Sequence, residues 1–289
     1  MENIRVKILG TAQDAGVPQA NCYCDHCQAA RQHTANRRYA AAMALILPGE
    51  KRWYLLEATP DLPEQLALLH ATSPELGLMN GVFLTHAHIG HYAGLMYLGK
   101  EAISAQEVPV WAGAGLENLI RSSAPWSQLV DLGNISLQTL QPDHPVRLPS
   151  GLSITPWLVP HRNEFAETFA FQVSGPRHRL LFLPDLDRWE QWERSLLDVA
   201  KDFDYLFLDG TFFSTDELSA RGRDYSQIPH PLIRDTMDRL QPVVDAGHTG
   251  IYFFHLNHTN PLLAAHGPEM HELLGRGFHV AREGMELSL

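Results

Sequence analysis

Three histidines stand within six residues of the 289-residue chain, in the string T-H-A-H-I-G-H at 85 to 91. A short apolar run at 81 to 85 leads into them and predicts a buried strand. Alternation along an extended chain places His86 and His88 on one side, and the following loop can bring His91 round to them. Such imidazoles bind borderline divalent cations, and a catalytic site needs only three protein ligands and an open position. The string favours a metal site over a histidine-rich turn without metal.

The chain's cysteines form a second cluster, at Cys22, Cys24 and Cys27. Thiols this close together cannot build a disulfide framework, and in a reducing compartment such clusters more often bind a metal. They need a fourth ligand to close a tetrahedral structural zinc site. His258 is the leading candidate, and His26 inside the cluster is the alternative. Redox-active or idle thiols are the remaining interpretations.

The elements that must position these residues can be predicted from hydrophobic periodicity and turn residues. Strand patterns lie at 4–9, 42–47, 53–56, 81–85, 108–112, 135–140, 152–159, 168–173, 179–183, 205–208 and 250–254. Helical patterns lie at 63–70, 92–102, 187–200, 231–240 and 266–275. Strands early in each half and helices at its end predict an α/β fold in which two sheets pack face to face between helical layers, an αββα sandwich. No repeat or linker interrupts 1–289, so we expect a single domain.

The string T-H-A-H-I-G-H resembles the H-x-H-x-D-H motif of the metallo-β-lactamase superfamily, with Gly90 at the position of the aspartate. The resemblance implies the metallo-β-lactamase fold with two adjacent metal sites. The residues that match the first site are His86, His88 and His161. Those that match the second are His91, Asp185 and His255, with Asp185 bridging both sites.

The predicted strands agree with this assignment, because His161, Asp185 and His255 each follow the end of a strand pattern. Strand ends on one rim of a sandwich can hold ligands from distant parts of the sequence on rigid supports. Without a carboxylate at Gly90, we expect the second site to bind metal more weakly, so the centre holds one or two ions of zinc, manganese or iron. A metal with two histidines and one carboxylate also resembles a non-haem iron site.

Longer strings show a narrower resemblance, to the pyrroloquinoline quinone (PQQ) biosynthesis protein B family. They are G-T-A-Q-D-A-G-V-P-Q-A-N-C (10 to 22), L-E-A-T-P-D-L (56 to 62), G-H-Y-A-G-L (90 to 95), L-D-G-T-F-F (208 to 213) and H-L-N-H-T-N-P (255 to 261). Members that work in quinone biosynthesis usually have a degraded histidine motif, whereas His86 and His88 are both present here. The C-x-C-x-x-C loop paired with a late H-x-x-H resembles the pattern of the phosphonate-pathway phosphodiesterases. This resemblance implies a structural zinc that the cysteines and His258 of this chain hold.

Three further polar residues are candidates for roles in the reaction or the fold. Asp209 ends a strand pattern and could orient a metal-bound histidine or accept a proton from water. His230 precedes a helical pattern and could contact substrate or donate a proton. Asp61 matches the family string, but its position predicts a helix cap. The catalytic candidates are therefore Asp185, His230 and Asp209.

Composition excludes several function classes. A net charge of −11 works against a broad nucleic-acid-binding surface, so we expect a small-molecule substrate. The first ten residues mix charges into a short apolar run and lack a signal-peptide pattern, and no run of about 20 apolar residues could span a membrane. We therefore expect a cytoplasmic protein without nucleic-acid or membrane partners. The sequence does not predict the oligomeric state.

Two reactions and one non-catalytic role fit these patterns. The first is hydrolysis of a small-molecule ester, lactone or phosphodiester by a metal-bound hydroxide, with Asp185 or Asp209 accepting the proton of the water. The second, implied by the narrower resemblance, is iron-dependent oxygenation in the synthesis of PQQ or a related cofactor. The third is a small-molecule binding or carrier protein that retains the scaffold without the chemistry.

Overall fold

The computed structural model describes residues 4–219, 222 and 224–289. Its first six strands are β1 (Arg5–Gly10), β2 (Ala42–Leu47), β3 (Arg52–Leu56), β4 (Val82–Phe83), β5 (Val108–Ala112) and β6 (Ile135–Thr139). The later strands are β7 (Val146–Arg147), β8 (Ser153–Val159), β9 (Thr168–Ser174), β10 (Arg179–Leu183), β11 (Tyr205–Asp209), β12 (Gly250–Phe254), β13 (His279–Val280) and β14 (Glu286–Ser288). The α-helices of this part are α1 (Asp25–Gln32), α2 (Leu62–His70), α3 (Ile89–Tyr92), α4 (Ala114–Ser122), α5 (Trp126–Asp131), α6 (Leu196–Lys201), α7 (Thr215–Ser219), α8 (Ile233–Ala246) and α9 (Pro268–Gly275).

The strands form two seven-stranded sheets, in the orders β14-β1-β2-β3-β4-β5-β6 and β13-β12-β11-β10-β9-β8-β7. Along β2, successive side chains face opposite sides because a strand has a period of two residues. Met43 and Leu45 pack between the sheets with Phe171 of β9. Ala44 and Ile46 face outwards, into a separate core with residues of α2, α4 and α5. The second sheet packs its outer face against α6, α8 and α9 in the same way. The predicted αββα sandwich is confirmed.

Strand direction places the loops of interest on one rim of the sandwich. Strands β3 to β6 run parallel to one another, and so do β10, β11 and β12. Strand β8 has the direction of β10 because both are antiparallel to β9, and β1 has the direction of β3 because both are antiparallel to β2. Just beyond β1, Ala12 bridges to Ala40 and Leu256, which joins the rims of the two sheets. The carboxyl ends of β1, β4, β8, β10, β11 and β12 therefore meet along one edge, where ligands bind in many open sheets.

Some predicted elements differ in length from the observed ones. The strand pattern at 81–85 contributes only β4 to the sheet, and the helix predicted at 92–102 is instead α3 followed by a 3₁₀ segment, Ala93–Leu98. The reason is the close approach of Gly94 to the chain after β3, where its N–H donates to the carbonyl of Ala58 across 2.8 Å. A β-carbon on Gly94 would lie 2.1 Å from the carbonyl oxygen of Thr59, so periodicity alone could not show this contact. The helix predicted at 187–200 is likewise divided into a 3₁₀ turn, Trp189–Gln191, and α6.

The helix cap predicted at Asp61 is wrong. Asp61 does precede α2, but its side chain makes no hydrogen bond to the first turn of that helix. Its Oδ2 instead accepts from the backbone N–H of Ala40 across 2.7 Å, which ties α2 to the segment before β2. A long-range partner has replaced the local one that an N-terminal aspartate usually finds.

Helices α1, α4 and α5 were not predicted, because each is short and buries few residues. In α1 only Cys27 and Ala30 are buried, so the segment lacks a continuous apolar stripe. Among the described residues, no helix is both long and apolar enough to cross a lipid bilayer.

Candidate metal centre

The histidines of T-H-A-H-I-G-H lie on the rim, in the loop after β4 and the first turn of α3. The loop carries His86 and His88, and α3 carries His91. The ring centroid of His86 lies 4.4 Å from that of His88 and 4.2 Å from that of His91. The structure therefore brings the three predicted rings together.

The loop after β8 adds His161 to two of these histidines. Its Nε2 lies 3.4 Å from Nδ1 of His88, and one donor atom from each of His86, His88 and His161 lies within 4.8 Å of the others. The opposite nitrogens have polar neighbours: Nδ1 of His86 lies 2.8 Å from Oγ1 of Thr85, and Nδ1 of His161 lies 2.9 Å from Oδ1 of Asp187. Such contacts fix the orientation of an imidazole and leave its other nitrogen free for a cation.

Asp185, which follows β10, lies between this group and a second one. Its Oδ2 is 3.3 Å from Nε2 of His91 and 3.4 Å from Nε2 of His255, while its Oδ1 is 3.7 Å from Nε2 of His161. One carboxylate oxygen thus faces each histidine group. This is the arrangement that a carboxylate bridging two cations requires.

His255 reaches the centre through an unusual backbone conformation. Its φ is 57°, in the left-handed region that a β-carbon disfavours by about 1–2 kcal/mol. The conformation turns the chain sharply at the end of β12, and Nδ1 of His255 lies 3.1 Å from Oγ1 of Thr211. Backbone strain of this kind clusters at functional sites, where surrounding structure holds it in place.

The donor atoms of this centre fit a cation. Buried polar atoms in proteins nearly always have a hydrogen-bond partner. Within the described residues, those that lack one include Nε2 of His86, Oδ2 of Asp185 and Nε2 of His255. Imidazole nitrogens and a carboxylate oxygen are the ligands of zinc, manganese and non-haem iron in proteins. A divalent ion would satisfy all of these atoms.

The charges around the centre also favour a cation. Burial lowers the pKa of His86 well below its ordinary value, and the neighbouring His91 lowers it further, so His86 stays neutral at pH 7. Burial alone would raise the pKa of Asp185, but the histidines around it, His255 and His91 foremost, outweigh that effect and lower it. These are the forms that bind metals. Burial lowers the pKa of His91, but Asp185 and the other carboxylates around it outweigh burial and raise it, so a cation bound there would displace a proton.

Asp209 and His230 lie beside the centre in a network of hydrogen bonds. Oδ1 of Asp209 accepts from the backbone N–H of Thr211 at 2.9 Å, and Oδ2 accepts from the N–H of Leu186 at 3.1 Å. Nδ1 of His230 lies 2.8 Å from the same Oδ2. The hydroxyl of Thr211 donates to Asp209 and lies next to His255. Asp209 therefore orients His230 directly and His255 through Thr211, and both of its oxygens are occupied.

A further carboxylate in the centre was missed by sequence reasoning. Asp14 lies in the loop after β1, and its Oδ1 is 3.1 Å from Nε2 of His91 and 3.4 Å from Nε2 of His255. Burial raises the pKa of Asp14, but hydrogen bonds from His255 and His91 outweigh burial and hold it below its ordinary value. Its position in G-T-A-Q-D-A-G, directly after a strand that ends on the rim, is the signal that could have identified it.

The second predicted cluster is also assembled. Nδ1 of His258 lies 3.4, 3.5 and 3.7 Å from the sulfur atoms of Cys22, Cys24 and Cys27, respectively. Zinc bonds of about 2.3 Å to sulfur and about 2.0 Å to nitrogen at tetrahedral angles place these atoms about 3.5 Å apart. His26, the alternative fourth ligand, directs Nδ1 to the backbone carbonyl of His258 instead, at 3.2 Å. The geometry fits one tetrahedral ion held by the cysteines and His258.

The sequence model of the β-lactamase superfamily domain matches residues 52–256, which contain every candidate ligand of the active centre except Asp14. The chain belongs to this superfamily. Among curated proteins, this chain is similar to coenzyme PQQ synthesis protein B of Xanthomonas campestris pv. campestris (strain B100). The two are 29% identical over 315 residues, an alignment that covers 99% of this chain and all of the relative.

Solved structures show the same relationship. The Zn²⁺-bound PqqB of Methylobacterium extorquens superposes with a TM-score of 0.81 at 25% sequence identity, covering 99% of this chain and 100% of that one. A diphosphatase of the PhnP family superposes with a TM-score of 0.71 at 18% identity, covering 99% of this chain and 97% of that one. The second likeness shows a shared fold.

Proposed function

We propose that this protein is a metal-dependent hydrolase that acts on an ester, lactone or phosphodiester bond of a small molecule. The observation that carries the proposal is the position of Asp185, whose two oxygens face two groups of histidines on one rim of the sandwich. Many hydrolases of small molecules use such a centre, and the superfamily is generally hydrolytic.

The first group, His86, His88 and His161, would hold one divalent ion, and His91, His255 and Asp185 would hold a second. A divalent ion in this centre supplies an acidified water and stabilises negative charge on the substrate. The protein's own contribution is to keep the donor atoms rigid and buried. Thr85, Asp187 and Thr211 do this by contacting the outer nitrogens of His86, His161 and His255, respectively.

His230 is the residue that we propose as proton donor to the leaving group. Its ring centroid lies 5.4 Å from that of His161 and 6.1 Å from that of His255, so it stands beside both groups. Its Nδ1 contacts Asp209 and Thr211, which leaves Nε2 for a substrate oxygen. Asp209 then acts by holding His230 in orientation, because hydrogen bonds already occupy both of its oxygens. Asp185, whose oxygens face both histidine groups, would accept the proton of the water that a divalent ion supplies.

Asp14 also lines a cavity on the side of the cysteine cluster. A cavity of about 270 Å³ is lined by polar residues that include Gln13, Asp14, Gln19 and Asn257. Its lining also includes His258 of the cysteine cluster and none of the histidines of the active centre, so we do not assign it to the substrate.

The test is an assay of zinc-loaded and manganese-loaded protein on bis(p-nitrophenyl) phosphate, p-nitrophenyl acetate and a simple lactone. We expect turnover of at least one of these classes, and loss of that turnover in His88→Ala without loss of folding. His266→Ala, which alters an exposed histidine, is the matched control and should retain full activity. Full activity in His88→Ala would refute the proposal.

Iron-dependent oxygenation is the second candidate, because the relatives named above are PQQ synthesis proteins. The set of two histidines and carboxylate at His91, His255 and Asp185 also suits a non-haem iron. Elemental analysis of protein purified without added metal separates the two: iron with oxygen consumption favours oxygenation, and zinc or manganese with diester or ester cleavage favours hydrolysis. A folded protein that binds no metal at the histidines supports the non-catalytic binding role.

A further inference from the structure

The space next to Gly90 is taken by the side chain of Asp14. A β-carbon built on Gly90 would lie 2.3 Å from Cβ, 2.6 Å from Cα and 2.7 Å from Cγ of Asp14. Real β-carbons do not approach other atoms so closely, so no larger residue fits at position 90 while Asp14 stays in place. The two positions therefore share one volume, which holds a carboxylate from the loop after β1.

The backbone of that loop is held firmly on the rim. Ala12 forms bridges to both sheets, and the N–H of Gln13 donates to the carbonyl of Leu256 across 2.9 Å. A tight turn follows, in which the N–H of Gly16 donates to the carbonyl of Gln13 across 2.8 Å. Gly16 has a φ of 66°, which glycine adopts without strain. Asp14 is thus fixed between two anchored residues, and its carboxylate is carried on rigid backbone.

The carboxylate faces the same nitrogens as Asp185. Oδ1 of Asp14 lies 3.1 and 3.4 Å from Nε2 of His91 and His255, and Oδ2 of Asp185 lies 3.3 and 3.4 Å from the same two atoms. Donor atoms about 2.1 Å from a common ion are about 3.0 Å apart at right angles and about 3.4 Å apart at tetrahedral angles. Hydrogen bonds explain these four short distances less well, because each Nε2 carries at most one proton but faces two carboxylates. Nε2 of His255 and Oδ2 of Asp185 are also buried without a hydrogen-bond partner in the described structure.

We propose that Asp14 is the carboxylate ligand of a second metal ion, in place of the side chain that Gly90 lacks. The inference rests on the proposed metal centre and adds to it a ligand from outside the histidine motif. The second site then has two imidazole and two carboxylate ligands, from His91, His255, Asp185 and Asp14. It has the same number and type of ligands as a site with aspartate at position 90. The active centre holds two ions, in addition to the one at the cysteines.

The experiment measures metal stoichiometry and affinity, by elemental analysis and by calorimetric titration of the full-length protein with zinc. The variants are Asp14→Ala, Asp14→Asn, Gly90→Asp and the double change Asp14→Gly/Gly90→Asp. Gln13→Ala, which alters the preceding side chain in the same loop, is the matched control. Circular dichroism and thermal unfolding of each variant show whether it folds, and Asp14→Asn keeps the shape of the side chain in case Asp14→Ala does not.

We expect the wild type to bind about three zinc ions per chain, and Asp14→Ala and Asp14→Asn to lose about one of them or bind it more than about tenfold more weakly. Gly90→Asp alone should destabilise the protein through its clash with Asp14. The double change should recover binding of that ion only in part: it returns a carboxylate and removes the contacts with Cβ and Cγ, but Cα of residue 14 stays 2.6 Å from the new β-carbon. Gln13→Ala should bind like the wild type.

Retention of the wild-type stoichiometry and affinity in both Asp14 variants overturns this inference and leaves the proposed metal centre standing. A wild-type protein that binds only the ion at the cysteines, even after zinc, manganese and iron are added, overturns the metal centre and this inference together. The two failures are therefore distinguishable in one series of titrations.

Discussion

Nδ1 of His230 lies 2.8 Å from Oδ2 of Asp209, and that aspartate is completely buried. Burial lowers the pKa of His230, but the carboxylates of Asp209, Asp185 and Asp14 together outweigh burial and raise it above its ordinary value. A buried carboxylate with both oxygens hydrogen-bonded stays in one orientation and fixes the ring that it contacts. The pair resembles the acid half of many hydrolytic sites, in which an aspartate orients a histidine that transfers a proton.

The first prediction follows from this pair. His230→Gln should lower kcat by about 10²-fold to 10⁴-fold for a substrate whose leaving group is an alkoxide, because such a group needs a proton as it departs. For p-nitrophenolate, which leaves without a proton, the loss should be much smaller. Steady-state kinetics on one alkyl ester and one p-nitrophenyl ester of the same acid measures the difference.

Metal content provides the control for this prediction, since His230→Gln should bind the same number of ions as the wild type. Asp209→Asn should show the same dependence on the leaving group with a smaller loss, because it misorients His230 without removing it. Equal losses on both substrates would show that His230 only supports the structure.

The fold could be predicted from the sequence because most strands have strong local patterns. The continuous apolar runs of β2, β10 and β12 predict strands in the interior of the sandwich, and both sheets follow from such runs. The short helices and the 3₁₀ segment Ala93–Leu98 could not be predicted in this way. They depend on contacts such as that of Gly94 with Ala58, which join residues far apart in the chain.

The candidate site was predicted unevenly for a similar reason. A known motif picks out its own positions, so His86, His88 and His91 stood out, and strand ends supported His161, Asp185 and His255. Asp187 matches no motif position, and Asp14 lies in a family string that gives it no role, so only the meeting of strand ends on one rim shows that they contact His161 and His91. Ligands supplied by neighbouring loops depend on tertiary structure, and spacing along the chain does not contain that information.

Asp187 is the subject of the second prediction. Its Oδ1 lies 2.9 Å from Nδ1 of His161, and its side chain is 25% exposed. Asp187→Asn should weaken binding of the ion at His86, His88 and His161 by about 10-fold to 100-fold, because the carboxylate that orients His161 is lost. Competition with a chromogenic chelator measures this affinity. Asp202→Asn, on the exposed surface, should leave it unchanged, and an unaltered affinity in Asp187→Asn would argue against the assigned contact.

The third prediction concerns the cluster formed by Cys22, Cys24, Cys27 and His258. Cys24→Ser and His258→Ala should each lose about one zinc per chain and lower the melting temperature by about 5 °C or more, because a structural ion contributes directly to folding. Ions at the histidines should be retained. His26→Ala is the matched control, since its ring contacts a backbone carbonyl and no sulfur. Loss of zinc in His26→Ala but not in His258→Ala would reverse the assignment of the fourth ligand.

The last prediction tests how the core supports the histidine loop. A β-carbon on Gly81, just before β4, would lie 2.3 Å from Cζ3 of Trp111, a ring stacked on Phe83 with centroids 4.4 Å apart. Gly81→Ala should therefore cost about 1–3 kcal/mol in the free energy of unfolding, as overpacked cores usually do. Gly77→Ala is the matched control, because nothing lies within 4 Å of its β-carbon. Urea denaturation measures both, and zinc titration of Gly81→Ala should show weaker binding at His86, because a shift of β4 displaces the loop that carries it.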